Sequence, residues 1–174
     1  MCQHLQATLR THPCKSSIGN VQVNLAGACL NIPERVYFSA SPLKHLANDI
    51  DTDGERAILA CMYSRHHNGH VREQALRLLL QQPIPDCSMP YLLRLAGEYV
   101  AAILLVLAPL LNHAAYAQTW TDFLTENPRL YQQTQSRLLS YWNEYYRQQQ
   151  PDFQRYIGGQ VAAHLRQLKP VQSP

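Results

Sequence analysis

From residue 41 onward, apolar positions recur three and four apart, the spacing that gathers side chains on one side of an α-helix. Ser41 followed by Pro42 reads as an N-cap and a first helical residue, and predicts a helix of about 41 to 49. Thr52 with Glu55 makes a capping box, and Ile58, Leu59, Met62 and Tyr63 carry the next helix to about residue 65. Asn68-Gly69 turns the chain there. Val71, Ala75, Leu76, Leu78 and Leu79 then form the apolar side of a helix that ends before Pro83 and Pro85.

Ser88 and Pro90 mark a further start, and a helix from about 89 to 111 is apolar on most faces, with a kink or break expected near Pro109. Thr119 to Glu126 reads as a shorter helix. Asn127-Pro128 opens a long one, in which Tyr131, Thr134, Leu138, Tyr141, Trp142 and Tyr145 form a stripe opposite Gln132, Gln133, Gln135 and Glu144. Pro151 ends it. A last helix over about 152 to 168 holds Gly158-Gly159, which weaken its middle by about 1 kcal/mol each relative to alanine. The longest apolar run, Tyr99 to Leu111, is shorter than the roughly 20 residues a membrane span needs, so it reads as a buried core helix and no membrane segment is expected.

The N-terminal residues follow a different pattern. Residues 1 to 20 are polar and without period, which suits a loosely held arm. Val21, Val23 and Leu25 alternate with Gln22 and Asn24, and Val36-Tyr37-Phe38 is a second β-type run, a pattern compatible with a short hairpin. The expected organisation is an arm over 1–40 and a helical domain over 41–170, folding as a single unit of the all-α class.

Over residues 55 to 97 the chain resembles HEAT or armadillo-type helical repeats. Asn68, Val71, Arg72, Ala75 and Leu79 match the small polar turn, the Val-Arg pair and the helically spaced Ala and Leu of such repeats, and Met89-Pro90-Tyr91-Leu92-Leu93 begins a further helix. The resemblance implies that Val, Ala and Leu fill the space between paired helices, and that the Arg packs along the turn and hydrogen-bonds nearby. It covers about a quarter of the chain and specifies no activity.

Composition narrows the function classes. Hydrophobic residues at 46% and charged residues at 16% describe a folded globular protein rather than a disordered one. The net charge of +3 is spread, with 8 basic and 7 acidic side chains up to residue 87 and 7 and 5 after it. Without clustered Lys and Arg to displace phosphate counterions, nucleic-acid binding is disfavoured. Cys2, Cys14, Cys29, Cys61 and Cys87 lie far apart without metal-ligand spacing, and the start Met1-Cys2-Gln3-His4 is no secretory signal, so reduced thiols in the cytoplasm are expected.

Few residue groups suggest chemistry. His66, His67 and His70 are weak candidates for metal ligands, because Asn68-Gly69 interrupts the helix between them. No metal or other cofactor is expected. Cys61 is a candidate nucleophile only if a base activates it, and on an apolar helix face it reads as a small hydrophobe. Arg94 and Glu98 read as an intrahelical pair at a helix surface. Tyr141, Trp142, Tyr145 and Tyr146 with Arg137 and Arg147 are the residue types enriched at binding hot spots, and four aromatics in six residues cannot share one helix face. No phosphate loop, nucleophile elbow or dinucleotide fingerprint is present. The expected function is therefore non-catalytic: a small bacterial-style adaptor, inhibitor or immunity-type protein offering a helical surface to a protein partner, a homodimer being the simplest case. The alternatives are a metal-dependent or thiol enzyme using the His66, His67, His70 region or Cys61, and nucleic-acid binding by a helical-repeat surface.

Overall fold

The computed structural model describes residues 16–38, 43 and 50–168. The helix predicted over 41 to 49 lies outside the described residues except at Leu43, which is helical and buried, and the first fifteen residues of the predicted arm lie outside them altogether. The chain is mainly helical, with seven α-helices among the described residues, and a two-stranded antiparallel sheet keeps it from being all-α. The strands β1 (Ser16–Leu25) and β2 (Ala28–Tyr37) are longer than the sequence pattern indicates. They are joined at Ala26 and Gly27, whose φ values of 50° and 78° are the positive angles that tight hairpin turns require.

By contact the chain forms two compact units, one from the described residues before Val23 with those of Leu30–Ser88, the other from Val23–Cys29 with those from Met89 onward. The first unit holds α1 (Asp53–Tyr63) and α2 (Gly69–Leu79). Thr52 caps α1 by accepting from the Glu55 N–H at 3.2 Å, and Asn68, predicted only as a stop, caps α2 by accepting from the His70 N–H at 2.9 Å. The two helices pack on each other, with Leu59, Tyr63, Val71 and Ala75 buried against Leu43 and flanked by Phe38, Ile50 and Leu78. Arg72 donates from Nη1 to the carbonyls of His66 and His67 at 2.9 and 2.8 Å, along the turn. This is one helix hairpin, and among the described residues no HEAT or armadillo repeat is formed.

The second unit is built from α3 (Met89–Ala96), α4 (Ala101–Leu111), α5 (Ala117–Glu126), α6 (Pro128–Tyr141) and α7 (Ile157–Leu168). α7 packs against α4, α5 and α6, and α3 against α4, α5 and α6. Leu92, Leu93, Leu95, Leu104, Leu107, Trp120, Leu124, Val161 and Leu165 are fully buried there. The long apolar helix expected over 89–111 is divided at Gly97–Val100 and continues through Pro109. Pro109 and Leu105 lie on the same exposed side of α4, so the proline ring sits outside the core while it removes one helical hydrogen bond. Arg94 and Glu98 are not at a helix surface as expected: each is 3% exposed, Arg94 in the last turn of α3 and Glu98 within the break. The glycine pair also sits differently from its prediction, in the first turn of α7 rather than mid-helix. A methyl group on Gly159 would run into the Phe153 carbonyl, and one on Gly158 into the Tyr156 ring.

A segment of the hairpin completes this unit. The Asn24 N–H donates to Asn127 Oδ1 at 2.8 Å, and Asn127 Nδ2 donates back to the Asn24 carbonyl at 2.7 Å, as a neighbouring strand would. Among the described residues no single helix is long and apolar enough to cross a membrane.

Candidate functional site

The aromatic cluster of the second unit is shaped by a change of helical pitch. α6 passes at Trp142 into a π-helical segment, Trp142–Tyr146, closed by the Arg147 N–H donating to the Trp142 carbonyl five residues back at 2.8 Å. Residues four apart share a side of such a helix, so the aromatics divide into two pairs. Trp142 and Tyr146 form the inner pair. Trp142 donates from Nε1 to the Gln150 carbonyl at 2.8 Å and lies 5.3 Å from the Phe153 ring, and Tyr146 stacks at 4.8 Å on the buried Tyr156. Burial pushes the Tyr156 hydroxyl far above the usual tyrosine range, so it is neutral at any working pH.

Tyr141 and Tyr145 form the outer pair. Their rings lie 6.2 Å apart, and each sits 5.8 Å from the ring of Tyr99. Tyr99 belongs to the break between α3 and α4, whose unwound backbone leaves its carbonyl free to accept from the Tyr146 hydroxyl at 2.6 Å. The same break thus seats one inner aromatic and supplies the third outer one. Tyr99 is 46% and Tyr145 56% exposed, while Tyr141 is half-buried beneath them. Arg147 is exposed, lies 5.8 Å over the Trp142 ring and donates to Asn143 Oδ1 at 3.0 Å. The Arg137 stem packs where a side chain on Gly97 would come within 3.5 Å of it. Sequence reasoning places Tyr99 at the start of an apolar run and misses its part in this cluster, because the pairing depends on where the helix breaks.

The groups that suggested metal or thiol chemistry are in the first unit. His66 is buried and both its ring nitrogens are engaged by the backbone, Nδ1 accepting from the Asn68 N–H at 3.0 Å and Nε2 at 3.0 Å from the Phe38 carbonyl. His67 and His70 are exposed, and His67 stacks at 5.0 Å on Tyr37. Among the described residues no group of three His, Cys, Asp or Glu side chains is placed to hold a metal ion. Cys61 is buried, and its thiol donates to Ser88 Oγ at 3.4 Å. Burial, which outweighs that hydrogen bond, pushes the thiol up to about 12, so the nucleophilic thiolate is absent at neutral pH. Arg65 is fully buried and turns its guanidinium to the Pro33 and Glu34 carbonyls, a structural role that fastens β2 to the α1–α2 turn.

No protein-family model, no curated protein and no solved structure matches the chain.

Proposed function

We propose that the protein is a non-catalytic interaction module that binds a protein partner through the outer aromatic face of the second unit, centred on Tyr145. The observation that carries this reading is the ring cluster of Tyr99, Tyr141 and Tyr145, with two of its three rings about half exposed. Leaving such apolar area in water forgoes roughly 25 cal/mol per Å², and tyrosine offers broad, stiff contact area with little rotamer freedom to lose on binding. Arg137 and Arg147 flank the cluster in sequence, and Arg147 is exposed. An adaptor, inhibitor or immunity-type role fits a surface of this kind, and a reducing, cytoplasmic setting suits the exposed free thiols of Cys29 and Cys87.

A second copy of the chain is the simplest partner, since closed homodimers dominate soluble assemblies. Sedimentation over a wide concentration range tests this with the parent protein and Tyr145→Ala. Truncation of an exposed side chain should leave the unfolding midpoint in place and weaken association by more than about 2 kcal/mol. If the parent is monomeric, the same comparison is made with the protein that co-purifies from the native cell. A partner that binds parent and variant equally well overturns the reading.

A further inference from the structure

His66 is the point where the end of β2 meets the α1–α2 turn, all within the first unit. The Val36 N–H donates to the Arg65 carbonyl at 2.9 Å and the His67 N–H to the Val36 carbonyl at 3.1 Å, so Val36 and His66 form a parallel bridge. The ring of His66 completes this junction. Nδ1 accepts the Asn68 N–H, which requires that position to be without a proton, so the proton sits on Nε2 and is donated to the Phe38 carbonyl. Only the neutral ring can satisfy both backbone groups. Asn68 is in turn the N-cap of α2, so the ring holds the cap as well as the strand.

The surroundings are hostile to a second proton. The ring of His66 is 1% exposed and its centroid lies 4.2 Å from that of His67. α2 contributes Arg72, whose guanidinium is bonded to the His66 and His67 carbonyls, and the turn contributes the buried Arg65. β2 contributes Tyr37, stacked on His67, and the residue that follows it, Phe38, has its ring edge-on to both His66 and the α1 residue Tyr63. Burial first, then the charges of His67 and Arg72, hold His66 below the ordinary histidine range, against the opposing pull of its contact with the Phe38 carbonyl.

We propose that His66 is an acid-sensitive latch: protonation at Nδ1 removes the acceptor of the Asn68 N–H, sets donor against donor, and releases the end of β2 and the cap of α2 from the α1–α2 turn. In the opened state the ring is in water and titrates near 6.5, whereas in the closed state it titrates lower. The latch is therefore fully closed above 6.5, and its closing equilibrium weakens by up to tenfold for each pH unit between 6.5 and the closed-state value, below which it levels off.

Amide hydrogen exchange between pH 8 and 4.5, expressed as protection factors to remove the intrinsic pH dependence, reads this directly on the full chain. In the parent, protection at Val36, His67 and Asn68 should fall through the acid window while that of α2's last turn changes less. In His66→Gln, whose amide can donate and accept without titrating, protection should be independent of pH. Loss of protection with the same pH profile in both proteins overturns the proposal. Should the variant not fold, nitrogen chemical shifts of the parent ring decide the matter. An Nε2–H tautomer that titrates below 6.5 together with the amides supports the latch. A ring that titrates at or above 6.5, or without loss of protection, overturns it.

Discussion

At the residue scale, the sign of a substitution here depends on what surrounds the backbone. In an exposed helix interior, glycine to alanine gains about 1 kcal/mol, and by that rule alone Gly158-Gly159 reads as a weakness. The approach of the Phe153 carbonyl to Gly159 reverses it. Gly159→Ala should therefore destabilise the protein by about 1 to 3 kcal/mol, because backbone rather than a flexible side chain has to give way, and the urea midpoint will report it. Cys61 is a second case. A thiol titrating at the ordinary 9.0 when unfolded and at about 12 when folded contributes stability that is complete below 9.0 and is lost as pH rises from there toward about 12. Between pH 8 and 11 the parent should lose stability more steeply than Cys61→Ala, by up to about 1.4 kcal/mol per pH unit. Comparing the two slopes cancels the tyrosines and lysines that titrate in both proteins.

At the element scale, the helices whose starts carry a side-chain oxygen and whose cores carry a regular stripe are legible in the amino-acid sequence. Thr52 and Asn127-Pro128 each stand at a helix start as predicted, Asn68, predicted only as a stop, also caps the helix that follows, and Val71, Ala75, Leu76 and Leu79 are buried as their spacing indicates. Leu79 is 1% exposed, so Leu79→Ala should cost about 2 to 5 kcal/mol, seen as a lower denaturation midpoint with an unchanged slope. What is illegible depends on contacts distant in sequence. Pro109 is the strongest local breaker in its segment, yet the helix ends at Gly97, where Thr134 and the Arg137 stem of α6 come close and the Tyr99 carbonyl is taken by Tyr146. The π-helical segment is similarly silent in sequence: nothing in Trp142-Asn143-Glu144-Tyr145-Tyr146 distinguishes a five-residue hydrogen-bond step from a four-residue one. The candidate site is accordingly half legible. Composition draws attention to Tyr141 and Tyr145, whereas the third ring, Tyr99, is brought in by the break.

At the scale of the whole molecule, the expected arm over 1–40 includes ten-residue strands, and one short stretch of them, Val23–Cys29, belongs to the unit otherwise made of residues from Met89 onward. The pairing of Asn24 with Asn127 spans 103 positions of sequence. Folding therefore has two clocks. The hairpin of α1 and α2 brings together residues close in sequence and can assemble in the time that local helix pairs need, whereas the Asn24–Asn127 pair must wait for a long loop to close and carries that entropy cost. During synthesis the tip of the hairpin is made 103 residues before its partner asparagine. For that interval the Asn24 backbone groups remain hydrated, and the second unit cannot reach its final state until the chain has been made through α7.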